Sequence, residues 1–120
     1  MLKVEVDRRT WLRGDRDKAG LHVTPSGQQC CIGFACRAAG LTVEDIRGRA
    51  GVASLDNYPR ARLFEQFPRW YQTGRTMLIS SDAMTKLYRI NDDSEINDKE
   101  RERKLTQHGH AVGIAFSFVN

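Results

Sequence analysis

The sequence predicts an α+β fold, in which a small antiparallel sheet pairs the N- and C-terminal strands beside one buried helix and two or three peripheral helices. Three observations support this prediction. Apolar residues alternate with polar or small ones at both chain ends, as in half-buried strands. The segment 28–39 is apolar on nearly all sides, as a buried helix is. Signals for shorter helices follow it. With 120 residues, the chain is expected to form a single domain over 1–120.

The two strands of the predicted sheet lie at the chain ends. Alternation runs over 2–7 near the N-terminus and over 112–118 near the C-terminus. We expect these strands to be antiparallel neighbours that tie the termini together. A short strand at 21–24, ended by a turn signal of Thr, Pro, Ser and Gly, is expected to join them.

The buried helix and the short helix after it have clear boundary signals. Gly40 suits the left-handed position that follows a helix, and Leu41 suits the apolar position after it. Thr42, with Asp45 three residues later, is a weaker version of a capping box. It predicts a short helix that Gly48 ends.

The second half of the chain contains weaker signals for regular secondary structure. Segment 48–76 contains five glycines and prolines and little periodicity, which predicts mostly loop with one helical turn at 61–66. Ser80 is a suitable N-cap for the next helix. A last, mostly charged helix is expected at 98–108, where Gly109 ends it.

Composition restricts the classes of protein to which the chain belongs. The formal net charge is +4 and the isoelectric point is about 9.2, a mild basicity that tolerates an anionic partner without requiring one. No apolar run approaches the roughly 18 residues of a membrane span. The first residues alternate instead of forming an apolar block, so we expect no secretory signal and a cytosolic location.

The only three cysteines, Cys30, Cys31 and Cys36, lie within seven positions. A zinc site lacks a second ligand pair at a suitable spacing. A reactive thiol needs a lowered pKa, for which Cys30 is placed near a helix start. Both alternatives remain open, but the favoured interpretation is that all three pack in the core as small apolar groups. We expect no metal and no cofactor.

Segment 57–75 carries the strongest compositional signal for binding, because arginine forks pair with phosphates and aromatic rings stack on bases. The candidate ligand contacts in it are Arg60, Arg62 and Trp70. Segment 8–16 adds Trp11 among four arginines as a possible stacking platform. The alternative in both segments is that the aromatic rings cover the core and the arginines are solvated.

Segment 88–104 supplies the remaining candidates. Asn91 offers an amide suited to an adenine edge. Arg101 and Arg103 point in different directions on the last helix, so that one reaches a partner while the other meets glutamate or solvent. The acidic residues beside them do not follow the calcium-loop pattern. Nothing in the sequence resembles a phosphate loop or a hydrolase motif, and we expect no catalytic residue and no enzymatic activity.

The segment CCIGFAC at 30–36 resembles the M-C-C-L-G-F-A-C segment of small bacteriophage-encoded proteins. Those proteins also have a Trp-Leu-Arg-Gly-like turn, here 11–14, and an I-N-D-D element, here 90–93. A charged helix with an E-R pair follows, here 100–101, and then a glycine and an alternating strand, here 109–119. Within this group, the chain resembles the first Thoeris anti-defence family.

That resemblance implies a sponge protein in the host cytoplasm, which binds a cyclic ADP-ribose isomer made by a host immune enzyme and holds it without cleavage. Some members of the family also hold cyclic oligonucleotides. The resemblance further implies a homodimer or higher homo-oligomer with ligands near subunit boundaries. It implies Asn91, from the I-N-D-D match, and Arg101 as ligand contacts.

Two other functions remain open from the sequence. A single-stranded nucleic-acid-binding module would use the same arginines and aromatic rings, although +4 is a modest charge for that task. An inhibitor of a host enzyme would use Trp11 and Trp70 as interface anchors.

Overall fold

A computed structural model describes residues 1–18, 20–23 and 25–120. It combines helices with two small sheets and belongs to the α+β class, as predicted. Among the described residues, no helix is both long enough and apolar enough to cross a membrane. The strands and α-helices are β1 (Leu2–Asp7), α1 (Cys31–Ala38), α2 (Val43–Ile46), α3 (Asn57–Gln66), β2 (Tyr71–Thr73), β3 (Leu78–Ser80), α4 (Asp82–Asp92), α5 (Asp98–Gly109) and β4 (Ile114–Val119).

The terminal strands β1 and β4 are neighbours, as expected, but the predicted antiparallel pairing is wrong. They are parallel, with Leu2 opposite Ile114 and Asp7 opposite Val119. Period-2 alternation identifies a half-buried strand but carries no information on its direction. Parallel strands need a crossover connection. Here that connection contains helices α1 to α5 together with strands β2 and β3.

The predicted third strand of this sheet does not form. His22 and Val23 make only isolated bridges, to Arg47 and Gln28, and Thr24 lies outside the described residues. A separate antiparallel sheet of two strands, β2 and β3, occurs where no strand was predicted.

The interpretation of 48–76 as mostly loop is also wrong, because α3, β2 and two short 3-10 helices together occupy most of it. The helical turn predicted at 61–66 lies within α3. This helix buries only Pro59 and Leu63. Its other faces are polar or partly exposed, so its sequence lacks the periodic apolar stripe by which amphipathic helices are detected. Pro59 lies in the first turn, where the missing N–H interrupts no helical hydrogen bond.

Several local boundary signals are confirmed. Gly40 has a positive φ of 99°, and the capping box of Thr42 and Asp45 is formed in both directions. The last helix, α5, begins at Asp98 as predicted and extends to Gly109. The N-cap of α4 is one residue later than predicted, since the Ser81 side chain accepts from the Met84 N–H.

Helix α1 lies in the centre of the core. Its buried residues include Cys31, Ile32 and Cys36, and its N-cap Cys30 is also buried. Gly33 faces the backbone carbonyl of Leu21 so closely that a Cβ at this position would collide with it. The glycine in the CCIGFAC segment therefore lets α1 pack directly on a neighbouring backbone.

We predict that the three cysteines are unreactive in the folded protein. All three are free and buried. Burial raises the pKa of the Cys30 thiol to about 12 and also raises those of Cys31 and Cys36. The reactive thiolate is therefore scarce at pH 8. A thiol-labelling reagent should modify none of them in native protein and all three in denaturant. Rapid native labelling of Cys30 would contradict this expectation.

Candidate ligand-binding groove

The Asn91 side chain is the centre of a buried hydrogen-bond network. Asn91 has no solvent exposure. Its Oδ1 accepts from the indole Nε1 of Trp11 at 2.8 Å and from the backbone N–H of Cys31 at 3.0 Å. Its Nδ2 donates to the carbonyl of Leu12 at 2.9 Å and to the Asp92 carboxylate at 2.9 Å. One amide thus joins the N-terminal segment, α1 and α4.

Arg101 closes the end of α4 in the same region. Its side chain is almost fully buried, with 4% of its area exposed. Backbone carbonyls at the C-terminal end of a helix have no intrahelical partner, and the Arg101 guanidinium donates to several of them and to one carbonyl beyond. The carbonyls that accept from it are those of Ile90, Asn91, Asp93 and Ile96, at 2.9, 3.3, 2.7 and 3.0 Å.

The segments that carry the family resemblance meet at this junction. The Gly14 N–H donates to the backbone carbonyl of Asn91 at 2.8 Å, which brings 11–14 onto 90–93. Residues 30–36 join through Cys31, and the charged helix joins through Arg101. In this conformation, the Asn91 and Arg101 side chains have their polar groups satisfied inside the protein. Their contact with a ligand stays a prediction, and the contacts that the structure gives them stabilise the fold.

The two tryptophans also belong to the core. Trp11 is 2% exposed and Trp70 is not exposed. The Trp70 indole donates to the carbonyl of Val112 at 2.9 Å and stacks on Phe67 at 4.5 Å. Neither indole offers a free face on which a base could stack in this conformation.

Arg60 and Arg62 lie on α3. Arg60 donates to the Asn57 side chain at 2.6 Å and to the carbonyl of Ala53 at 3.3 Å. Arg62 lies over the exposed ring of Tyr58, at 5.9 Å from its centroid. The structure therefore does not bring Arg60, Arg62 and Trp70 together into one concave site.

A concavity between α4 and α5 has a volume of about 750 Å³. Ligand pockets commonly have volumes of about 300–1,000 Å³. None of the site residues proposed from the sequence lines this groove, although Asn91 is adjacent in sequence to two residues that do. The groove is lined by Arg16, Thr85, Lys86, Tyr88, Arg89, Ile90, Asp92, Asp93, Ile96 and Lys104.

Four of the lining side chains are cationic. Arg16, Lys86 and Arg89 form no ion pair with any residue in the described part of the chain, while Lys104 lies 3.6 Å from Glu100. The neighbouring His108 reports the same accumulation of charge. Its pKa is lowered first by desolvation and then by repulsion from Lys86, Lys104 and Arg103. The groove thus favours an anionic ligand. Arg103 does not line it and belongs to a separate concavity with Asn97, Lys99 and Glu100.

The acidic side of the groove is held by the Asn91 network. Burial raises the pKa of Asp92, and the hydrogen bond from Asn91 together with the charges of Arg101 and Arg16 opposes this effect. Asp92 and Asp93 provide acceptors for hydroxyl groups. Tyr88, whose hydroxyl accepts from the Val52 N–H at 2.9 Å, contributes part of the apolar wall. Cations, acceptors and apolar surface therefore share one concavity.

Reasoning from the sequence missed Lys86, Arg89 and Lys104, and it assigned Arg16 to a platform around Trp11 instead of to this groove. Lys86 and Arg89 are three residues apart and lie on one face of α4. This spacing is the signal for a cationic surface that the sequence contains. That spacing is equally typical of a solvated helix face. Only the packing of α5 and the 16–18 turn beside α4 turns that face into a groove.

Among the residues described by the structure, no group of three or more histidine, cysteine or acidic side chains is arranged to hold a metal ion. Comparisons with protein-family models, with curated proteins and with solved structures found no match to this chain.

Proposed function

We propose that the protein binds a cyclic nucleotide signal in the groove between α4 and α5 and sequesters it without cleavage. The ligand class is a cyclic ADP-ribose isomer or a cyclic oligonucleotide, and the role is that of a bacteriophage anti-defence protein in the host cytoplasm. The observation that carries the proposal is a groove of about 750 Å³ lined by three cations, Arg16, Lys86 and Arg89, none of which forms an ion pair with a described residue.

The chemistry of the groove matches the parts of such a ligand. Guanidinium and ammonium groups pair with phosphate oxygens. The Asp92 and Asp93 carboxylates accept hydrogen bonds from ribose hydroxyls, and the wall around Tyr88 and Ile96 receives a base. Capture by these contacts needs no nucleophile and no general base. The ligand is therefore expected to leave the protein chemically unchanged.

Sequestration also benefits from enclosure, because tight binding buries most of the ligand surface. A surface groove in a small protein leaves one side of its ligand in solvent. We propose that the active form is a homodimer or a higher homo-oligomer, as the family resemblance implies.

Charge reversal in the groove tests the proposal. Lys86→Glu and Arg89→Glu should each weaken the binding of cyclic ADP-ribose isomers by roughly tenfold to a hundredfold, since a hydrogen bond to a charged group contributes about 1.5–3 kcal/mol. Both side chains are exposed, so their replacement should leave the fold intact. Titration calorimetry measures affinity. Lys99→Glu, an exposed change of the same charge outside the groove, should bind like the wild type.

Native mass spectrometry after incubation with a panel of cyclic nucleotides gives the stoichiometry and the chemical fate of the ligand. Intact ligand released by heat supports sequestration, and recovery of a cleaved product alone contradicts it. Binding of single-stranded RNA that falls steeply with salt would favour the nucleic-acid-binding function instead. Equal losses of affinity in Lys86→Glu and Lys99→Glu would exclude the groove as the site.

A further inference from the structure

The outer edge of β1 has hydrogen-bonding groups that the sheet does not use. The Leu2 N–H donates to Gly113 and the Arg8 N–H donates to Val119 across the β1–β4 pair. In a parallel pair, this places the N–H and C=O groups of even-numbered residues toward β4 and those of odd-numbered residues outward. The carbonyl of Asp7, an odd-numbered residue, agrees with this arrangement, because it accepts from the N–H of Thr10 and not from β4. Lys3 and Glu5 therefore direct their backbone groups away from the sheet.

No described strand occupies that edge, since the sheet contains only β1 and β4. The outer edge of β4 differs, because Gly109 of α5 packs closely against the Ile114 carbonyl. Parallel sheets are normally covered and rarely stop at two strands. An unpaired strand edge is a template for another strand, and β1 is the edge that this fold leaves available.

The sequence of β1 is complementary to itself in one antiparallel register. With Val4 on a two-fold axis, Lys3 lies opposite Glu5 of the second copy, and Glu5 lies opposite its Lys3. Leu2 lies opposite Val6, so apolar residues face one another on the core side. Lys3 and Glu5 are both exposed, and neither forms an ion pair with a described residue. Opposite charges in directly facing positions stabilise antiparallel strands.

The neighbouring registers lack this complementarity. Moving the axis to Lys3 places two lysines opposite each other. Moving it to Glu5 places Lys3 opposite Asp7, which is already paired with Arg9, and places two glutamates opposite each other. Like charges in such positions destabilise the pair. The outward direction of the odd-numbered backbone groups also agrees with the Val4 register, because Lys3 and Glu5 then exchange their N–H···O=C bonds across the axis.

We propose that β1 pairs with β1 of a second copy of this chain, antiparallel about Val4, and forms a four-stranded sheet in the order β4, β1, β1 and β4. This inference names an interface for the homodimer included in the proposed function, but it depends on β1 alone. A failure of ligand binding would leave it standing, and a failure of dimerisation would leave the groove unaffected.

Charge reversal and charge exchange at the edge provide the test. Lys3→Glu and Glu5→Lys should each weaken dimerisation by roughly tenfold or more, because each replaces two attractive cross-strand pairs with repulsive ones. The double variant Lys3→Glu/Glu5→Lys restores both pairs and should dimerise within about threefold of the wild type. Sedimentation equilibrium distinguishes the 13.7 kDa chain from its dimer, and Lys99→Glu serves as the exposed control.

A wild-type chain that stays monomeric at all concentrations would overturn the proposal. A dimer that neither single variant weakens, or whose weakening the double variant does not reverse, would place the interface elsewhere and also overturn it. Circular dichroism checks that each variant is folded. As a second measurement, a mixture of ¹⁴N and ¹⁵N protein treated with a carbodiimide should give a mixed-isotope cross-link between Lys3 and Glu5. Cross-links confined to one isotope would count against pairing between copies.

Discussion

Replacing Asn91 with leucine is expected to lower the free energy of unfolding by about 3–5 kcal/mol. The leucine keeps an apolar body of similar size but removes both polar ends of the amide. The indole N–H of Trp11, the N–H of Cys31 and the carbonyl of Leu12 then lose their partner. Each buried group left without a hydrogen bond costs about 1–3 kcal/mol, and few single substitutions have a larger effect.

Urea denaturation of the wild type and Asn91→Leu measures this loss, with Asn57→Leu as the control. Asn57 lies at the exposed start of α3 and accepts a hydrogen bond only from a side chain that is itself partly solvated. Its replacement should change the free energy of unfolding by less than about 0.5 kcal/mol. If Asn91→Leu were as stable as Asn57→Leu, the hydrogen-bond network of Asn91 would not stabilise the fold.

The parts of the fold that could be predicted are those determined by residues close together in sequence. The capping box is formed by Thr42 and Asp45, which are only three residues apart. The left-handed conformation of Gly40 depends only on its own backbone. The direction of β4 relative to β1 depends on the whole chain between them, so alternation could not give it. Helix α3 was predicted only as one turn at 61–66, because an element that buries two residues leaves almost no apolar period.

The candidate site could be predicted only in part, and for the same reason. The sequence drew attention to Asn91, Arg101 and Trp11, and the structure brings these three residues together. It does so through contacts between residues that are up to 80 positions apart, and the polar groups face inward. No rule based on spacing distinguishes an inward amide from one that faces a ligand. In the sequence, the groove cations beside them resemble an ordinary solvated helix face. Only the position of α5 in the structure shows that they line a groove.

The family resemblance depends on segments that the structure brings together in its interior. The segments 11–14, 30–36 and 90–93, on which the resemblance depends, meet in the buried junction, where their contacts stabilise this fold. They therefore carry less information on a ligand than the exposed residues of the groove do. In the proposed function, the ligand contacts are residues outside those segments, such as Lys86 and Arg89, and the binding experiments are therefore directed at the groove.

Replacing Arg101 with methionine is expected to cost about 3–5 kcal/mol in the free energy of unfolding. Methionine retains the packing of the long side chain, but it removes the guanidinium that donates to four backbone carbonyls. The carbonyls of Ile90 and Asn91 keep the backbone N–H groups of Asp93 and Gly14 as donors. The carbonyls of Asp93 and Ile96, at and beyond the end of α4, lose their donor. Arg101→Lys should give an intermediate loss, because a single ammonium group cannot reach carbonyls that the planar guanidinium fork spans.

The matched control is Arg103→Met, two residues further along α5. The Arg103 side chain is 63% exposed and its ion pair with Glu100 is long, at 3.6 Å, so its loss should cost less than about 0.5 kcal/mol. Comparable losses in Arg101→Met and Arg103→Met would show that the junction does not depend on the guanidinium. If Arg101→Met loses much of its free energy of unfolding, weaker ligand binding by this variant would be explained by unfolding of the protein. Only groove variants such as Lys86→Glu, which keep the fold, can then identify the ligand contacts.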